Sequence, residues 1–431
     1  MGELEIFICL VAVLFLILAS STWIGIALLG TAWFALAMFG SRPAGDAMAM
    51  TVWGSASSWT LTALPMFLWM GEILFRTKLS ENMFKGLAPW LERVPGRLLH
   101  TNVIGCTIFA AVSGSSAATC ATIGKMTLSE LKQRGYPEAI TIGTLAGSGT
   151  LGLLIPPSII MIVYGVSTEV SIAKLFLGGV FPGILLAALF SGYIVIWALL
   201  HPGQVPEISS RTSLLEKLKA STDLIPVVLL IILVLGSIYT GIATATEAAA
   251  FGVVGSLILS AFQRSLTRKT FTDSLMGATR LYCMIALILA GASFLTLAMG
   301  YLGLPRHLAE WIISMHLPVS WLLVALALFY IILGCFLDGI SMVVLTIGVL
   351  SPTIQAAGID MIWFGIFIVL VVEMAQITPP VGFNLFVLQG MTGREITWIA
   401  WQAIPMFLLM VVALTLLYFF PGIVSYLPSH M

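Results

Sequence analysis

Gly143-Thr-Leu-Ala-Gly-Ser-Gly-Thr-Leu-Gly-Leu-Leu-Ile-Pro-Pro-Ser158 and Val372-Glu-Met-Ala-Gln-Ile-Thr-Pro-Pro-Val-Gly-Phe-Asn-Leu-Phe386 are two versions of one pattern. Each is an apolar run cut by a proline pair, Pro156-Pro157 and Pro379-Pro380, with small polar residues alongside. Proline has no N–H to donate and its ring crowds the preceding turn, so two in succession break a helix. Inside a bilayer, the backbone groups so released are tolerated only where protein covers them or where they line a polar cavity. Two such interruptions at matching places in two halves point to the binding site of a transporter.

Composition puts this pattern in a membrane. Of 431 residues, 59% are hydrophobic and 9% charged, and the mean hydropathy is +1.08. A soluble domain carries about a quarter charged residues. The formal net charge of zero gives no sign of nucleic-acid binding. Met1 to Ser20 lacks the basic start and small-residue cleavage site of a signal peptide, and reads as a retained first helix. The cysteines Cys9, Cys106, Cys120, Cys283 and Cys335 sit in apolar segments without metal-ligand spacing and read as small packing residues. His100, His201, His307, His316 and His430 likewise have no partner at ligand spacing. There is no catalytic constellation, no organic cofactor motif and no Gly-x-x-x-x-Gly-Lys-[Ser/Thr] loop for ATP. The chain therefore reads as no enzyme, and an ion gradient must drive whatever it moves.

Apolar stretches run over 4–20, 23–40, 60–75, 98–128, 137–165 and 174–200, and again over 224–240, 244–262, 275–300, 319–356, 359–388 and 396–420. Pro156 and Pro379 hold the same place in the two series, as do Pro182 and Pro405, which marks an internal duplication. The stretches 98–128 and 319–356 are too long for one helix across roughly 30 Å of hydrocarbon, and their halves are short for a crossing each. Their polar turns, Ser113-Gly-Ser-Ser116 and Asp338-Gly-Ile-Ser341, read as tips of re-entrant hairpins. Each half then crosses five times, an odd number, so the halves lie inverted. With the N-terminus outside, the inner segments hold Arg76, Lys78, Lys85, Arg93, Arg97, Lys125, Lys132, Arg134, Arg211, Lys217, Lys219, Arg264, Arg268, Lys269, Arg280 and Arg394, which is 16 of the 19 Lys and Arg. Only Arg42, Lys174 and Arg306 fall outside, so the positive-inside rule makes both termini periplasmic.

The predicted fold is an all-α polytopic membrane protein of two inverted-topology repeats, each with a re-entrant hairpin and a broken helix. Segments 1–97 and 224–318 read as framework helices, 98–200 and 319–431 as the hairpin and broken-helix units, and 201–223 as a cytoplasmic linker. Leu79 to Arg97 and Ser210 to Asp223 mix apolar and charged residues and read as amphipathic arms on the inner surface.

Half-helix N-termini suit an anion, whereas unwound carbonyls and half-helix C-termini suit a small cation. The candidate sodium-binding residues are Ser113, Ser115, Gly149 and Pro156 in the first half, with Asp338, Gly339, Thr378, Pro379 and Gly382 in the second. The candidate substrate-binding residues are Ser116, Ser148, Thr150, Ser341, Glu373 and Asn384. Asp338 is the acid of the second tip, and both a sodium-binding and a proton-binding reading are open for it. Glu373 sits just ahead of the second break as site or support. Glu247 reads equally as a charge complementing a helix start, and Glu72 is the weakest of the embedded acids. Trp53, Trp59, Trp363, Trp398 and Trp401 read as interfacial anchors.

These residues resemble one family. Ser113-Gly-Ser-Ser-Ala-Ala-Thr119, Lys132-Gln-Arg-Gly-Tyr136, Ile155-Pro-Pro-Ser-Ile159, Ala245-Thr-Glu-Ala-Ala-Ala250, Phe336-Leu-Asp338 and Thr378-Pro-Pro-Val-Gly-Phe-Asn-Leu-Phe386 are similar, in order, to motifs of the large membrane subunit of tripartite ATP-independent periplasmic (TRAP) transporters. Ala245 and Gly339 stand where that family often has proline. The resemblance implies an elevator-type importer in the bacterial inner membrane, coupled to Na⁺ and carrying a small organic acid of the carboxylate or sialic acid type. It also implies two partners, a periplasmic substrate-binding protein and a small four-helix membrane subunit. With no extra helices ahead of Met1, the chain reads as the unfused form, its small subunit a separate chain. The competing reading is a stand-alone sodium/anion symporter that needs no binding protein.

Overall fold

In the computed structural model the described residues are 3–40, 43–76, 86–206, 213–222, 224–307, 310, 318–334, 337–380 and 382–430. They are helical throughout, with no strand among them. The sequence imposes this: long runs of Leu, Ile, Val, Ala and Phe offer no polar side chain to compete for the backbone, and in hydrocarbon a helix alone satisfies its own amides. Among the described residues six helices are long and apolar enough to cross a bilayer, including Ile172–Leu200, Arg268–Tyr301 and Ile396–Phe419. Shorter apolar helices such as Ile24–Phe39 and Ile225–Tyr239 join them.

Both predicted hairpins fold back on themselves. The first has arms His100–Ser113 and Ser116–Gln133, the second Val319–Leu333 and Gly339–Ala356. At 1.5 Å per residue the entering arms are about 21–23 Å long, shorter than the roughly 30 Å of hydrocarbon, whereas the returning arm Gly339–Ala356 is long and apolar enough to cross. Hydroxyl pairs tie the arms together, Ser113 to Thr119 at 2.7 Å in the first and Tyr330 to Thr346 at 2.5 Å in the second. The turns end in matched caps. Ser115 accepts from the Ala118 N–H, and Asp338 accepts from the Ile340 and Ser341 N–H groups. Gly114 closes the first arm in the left-handed region at φ 60°, where a side chain would be strained.

The broken helices are equally matched. The first runs Glu138–Gly149, Leu151–Leu154 and, past the prolines, Ile159–Thr168; the second runs Met361–Gln376 and Phe383–Thr392. Pro156-Pro157 and Pro379-Pro380 are both cis. One spacing of 223 positions relates Ser115 to Asp338, Pro156 to Pro379 and Pro182 to Pro405, the last pair lying inside Ile172–Leu200 and Ile396–Phe419.

Around these units the helix Arg268–Tyr301 packs along Ile24–Phe39, Ala44–Ala56 and Ala63–Phe75, and also meets the second hairpin. There a side chain on Gly348 would run into the Thr296 hydroxyl. The predicted arms are described from residue 86 and over 213–222; Leu79 to Lys85, Ser210 to Thr212 and Asp223 lie outside the described residues. The described parts meet, with Trp90 Nε1 donating to the Ser221 hydroxyl at 2.7 Å and Lys217 held over the Trp90 ring.

One sequence reading changes. Trp363 is no interfacial anchor: it is buried, stacks on Phe367 and donates from Nε1 to the Leu417 carbonyl, because its helix is covered on every side. Trp398 is half-buried beneath the Arg394 guanidinium, while Trp53, Trp59 and Trp401 are exposed. Glu247 forms a capping box with Thr244, and Glu72 pairs with Arg76 at 3.1 Å.

Candidate functional site

The first tip is seated on the first break. The Gly114 carbonyl accepts the Ile159 N–H at 3.4 Å, just beyond the prolines. Gly152 lies so close beneath the tip that a Cβ would come within 2.5 Å of the Ser115 carbonyl and 2.6 Å of the Ser116 Cα. Beyond the break, Ser158 caps Ile159–Thr168. Pro156, Pro157 and Ser158 are all buried.

The Ser116 hydroxyl, at the start of the returning arm, donates to Glu373 Oε1 of the other half and lies 3.5 Å from the Thr150 carbonyl. The same Glu373 oxygen accepts the Leu153 N–H at 3.0 Å. Ser116, Thr150 and Glu373 are thus brought together. Asn384, in the first turn of Phe383–Thr392, stands beside Gly149, a Cβ on which would lie 3.3 Å from Nδ2. Both amide atoms of Asn384 and the Ser148 hydroxyl are buried without a hydrogen-bond partner, as is Glu373 Oε2.

At the second tip the Asp338 carboxylate holds its own turn, with Oδ2 taking two backbone N–H groups at 3.2 Å and Oδ1 taking the Ser341 hydroxyl. Ser341 is therefore engaged with Asp338. Gly339 lies against Val372 and Gln376, with Ile160 of the first half close by. The Thr378 hydroxyl turns back to the Met374 carbonyl at 2.8 Å. Gly382 opens a cradle, since a Cβ there would meet the carbonyl oxygens of Gln376 at 2.6 Å and Thr378 at 2.9 Å. Pro379 and Pro380 are exposed. Val381 and Phe336, within the motifs, lie outside the described residues.

Sequence reasoning passed over Leu153, whose backbone N–H does the work, and Gln376, a lone amide in an apolar run next to the break. The second carried a signal; the first could not, because any residue but proline supplies an N–H. Among the described residues no group of three His, Cys, Asp or Glu could hold a metal. A cavity of about 1080 Å³ is lined by Thr51, Ser55, Ser58, Ser293 and Thr296 and, from the second hairpin, by Val344 and Gly348.

Comparison with known proteins decides the family. Residues 11–423 match the model described as tripartite ATP-independent periplasmic transporter, DctM component. The chain belongs to this family. It is a multi-pass membrane permease component and not an enzyme. It is 31% identical to the C4-dicarboxylate TRAP transporter large permease protein DctM of Pseudomonas aeruginosa, over 89% of this chain and 90% of that one. It is 30% identical to the ectoine/5-hydroxyectoine TRAP transporter large permease protein UehC of Ruegeria pomeroyi, over 91% of each. The isethionate TRAP transporter permease protein DctMQ of Oleidesulfovibrio alaskensis, also 30% identical, matches 95% of this chain but 64% of its own length. The crystal structure of the YdaH transporter of Alcanivorax borkumensis superposes with a TM-score of 0.64 over 89% of each chain at 14% identity, a likeness of fold.

Proposed function

We propose that this chain carries a small organic acid into the cell across the bacterial inner membrane, driven by Na⁺, by an elevator movement of the two hairpin and broken-helix units against the framework helices. Asn384 carries the reading. A buried amide with donor and acceptor both unmatched costs about 1–3 kcal/mol per group, so it is kept for a ligand. It sits in the first turn of a helix, where free N–H groups and the dipole favour a carboxylate, and Ser148 adds a hydroxyl. Relatives named for C4-dicarboxylate, isethionate and ectoine support a small organic solute.

The donor chemistry suits sodium. Around Gly382 the carbonyls of Gln376 and Thr378 are hard oxygens that converge to 2.6 and 2.9 Å from where a Cβ would stand, and Asp338 retains acceptor capacity beyond the three bonds its cap uses. In the first half the carbonyls near Gly149 and Pro156 and the tip hydroxyls would serve. The positive-inside count supports inverted repeats with both termini periplasmic. A small membrane subunit and a periplasmic binding protein complete the proposed transporter.

The test is uptake into proteoliposomes, with a panel of small carboxylates and sulfonates under an imposed sodium gradient. Uptake should need the binding protein, the small subunit and sodium. Asn384→Ala should raise KM at least tenfold with the sodium requirement intact. Full uptake by this chain alone would favour the stand-alone symporter, and a proton gradient replacing sodium would remove the ion assignment.

A further inference from the structure

Glu373 belongs to the second half by sequence and serves the first half by contact. It is fully buried, and its Oε1 accepts from the Ser116 hydroxyl and the Leu153 N–H while Oε2 has no hydrogen-bond partner. The need it meets is local. Leu151–Leu154 is a single turn restarting after the bend at Thr150, so its first N–H groups lack helical acceptors. Thr150, at the capping position, makes no cap; its hydroxyl donates backward to the Gly147 carbonyl at 2.6 Å. The missing acceptor arrives from 220 residues away. By the spacing that pairs Pro156 with Pro379, the counterpart of Glu373 is Thr150 itself. At equivalent places one half therefore carries a side chain that reaches across and the other a side chain that turns back.

We infer that Glu373 is a positioning residue, a cap supplied in trans that clasps the first tip to the first break and sets the spacing of the polar groups between them. One acceptor oxygen performs this task, so glutamine, which keeps Oε1 and the length, should replace it, whereas methionine, which keeps only the length, should not. In its effect on sodium the inference rests on the proposed first-half ion site; the clasp itself does not.

Hydrogen exchange by mass spectrometry on the full chain in lipid nanodiscs, in sodium chloride against choline chloride of equal strength, separates the two. In Glu373→Met, peptides covering 113–119 and 150–155 should exchange about tenfold faster, as expected for a buried capping bond lost. The sodium concentration that half-protects them should rise several-fold. Glu373→Gln should stay within about twofold of the parent on both measures. Ser116→Ala, which keeps the acid and removes one bond, should fall between, and carries the comparison if the methionine variant fails to accumulate. Faster exchange without any sodium response would keep the clasp and dismiss a first-half sodium site. Unchanged exchange in both Glu373→Met and Ser116→Ala, or a glutamine variant as impaired as the methionine one, would overturn the clasp.

Discussion

Pro156-Pro157 lies buried beneath the first tip, while Pro379-Pro380, its partner at a spacing of 223, is exposed. The motif is the same and the surroundings are not. In the first half the tip settles over the prolines, backbone on backbone, through Gly114, Gly152 and Ile159. In the second, Gly339 rests on the helix ahead of the break, against the side chains of Val372 and Gln376, and leaves the prolines uncovered. Duplicated sequence thus sets the motif, and the residues packed around it set how deeply each proline pair is buried.

The strongest test of that difference is to freeze it. Thr296→Cys with Gly348→Cys would bridge the framework helix and the second hairpin, where a Cβ on Gly348 would stand 3.0 Å from the Thr296 Cβ, short of disulfide spacing by an adjustment the helices can make. Oxidation should abolish uptake and reduction restore it. Uptake that survives a complete crosslink would mean that the hairpin does not travel against this helix.

Next come the two seats. Gly152→Ala drives a methyl into backbone atoms that cannot rotate away, at a cost of about 1–3 kcal/mol. Gly339→Ala meets mainly the side chains of Val372, Gln376 and Ile160, which can adjust. Thermal unfolding and uptake should both suffer more from the first change, and equal losses would erase the contrast between the tips.

A smaller effect separates charge from shape. Asp338→Asn keeps a capping oxygen at the second tip and removes the negative charge. The variant should fold normally and need several-fold more sodium for half-maximal uptake. An unchanged requirement would leave Asp338 as a cap alone. The smallest effect belongs to Thr378→Val, which removes a hydroxyl already spent on Met374 and keeps the carbonyl at the Gly382 cradle. Its half-saturating sodium concentration should move less than twofold, and a large rise would transfer the ligand role to the hydroxyl.

Much of this was legible in the residues. Proline pairs break helices wherever they stand, and a Ser-Gly-Ser-Ser or Asp-Gly-Ile-Ser turn between apolar arms leaves the chain few choices, so the hairpins and breaks were readable. Asn384 and Ser148 were readable as candidate substrate-binding residues because they are polar residues within the two interrupted runs. What pairs with what was not readable. Ser116 meets Glu373 across 257 positions, and no local pattern encodes such a contact. Trp363 misled for the same reason, since an aromatic at a helix start looks interfacial until the neighbouring helices are placed around it.

The hydroxyl-lined cavity has an electrical consequence. A space of about 1080 Å³ whose mixed wall includes Thr51, Ser55, Ser58, Ser293 and Thr296 is roomy enough, with enough hydroxyls, to hold waters. Water carries almost none of a voltage drop. On the proposed orientation the cavity opens outward, so the membrane potential falls mainly across the protein beneath its floor, not across the full bilayer. Under the proposed sodium coupling, each ion carried through that thin layer would collect most of the roughly 2.3 kcal/mol per 100 mV that a unit charge gains. In the proposed mechanism a short stroke would then do the electrical work of a full crossing.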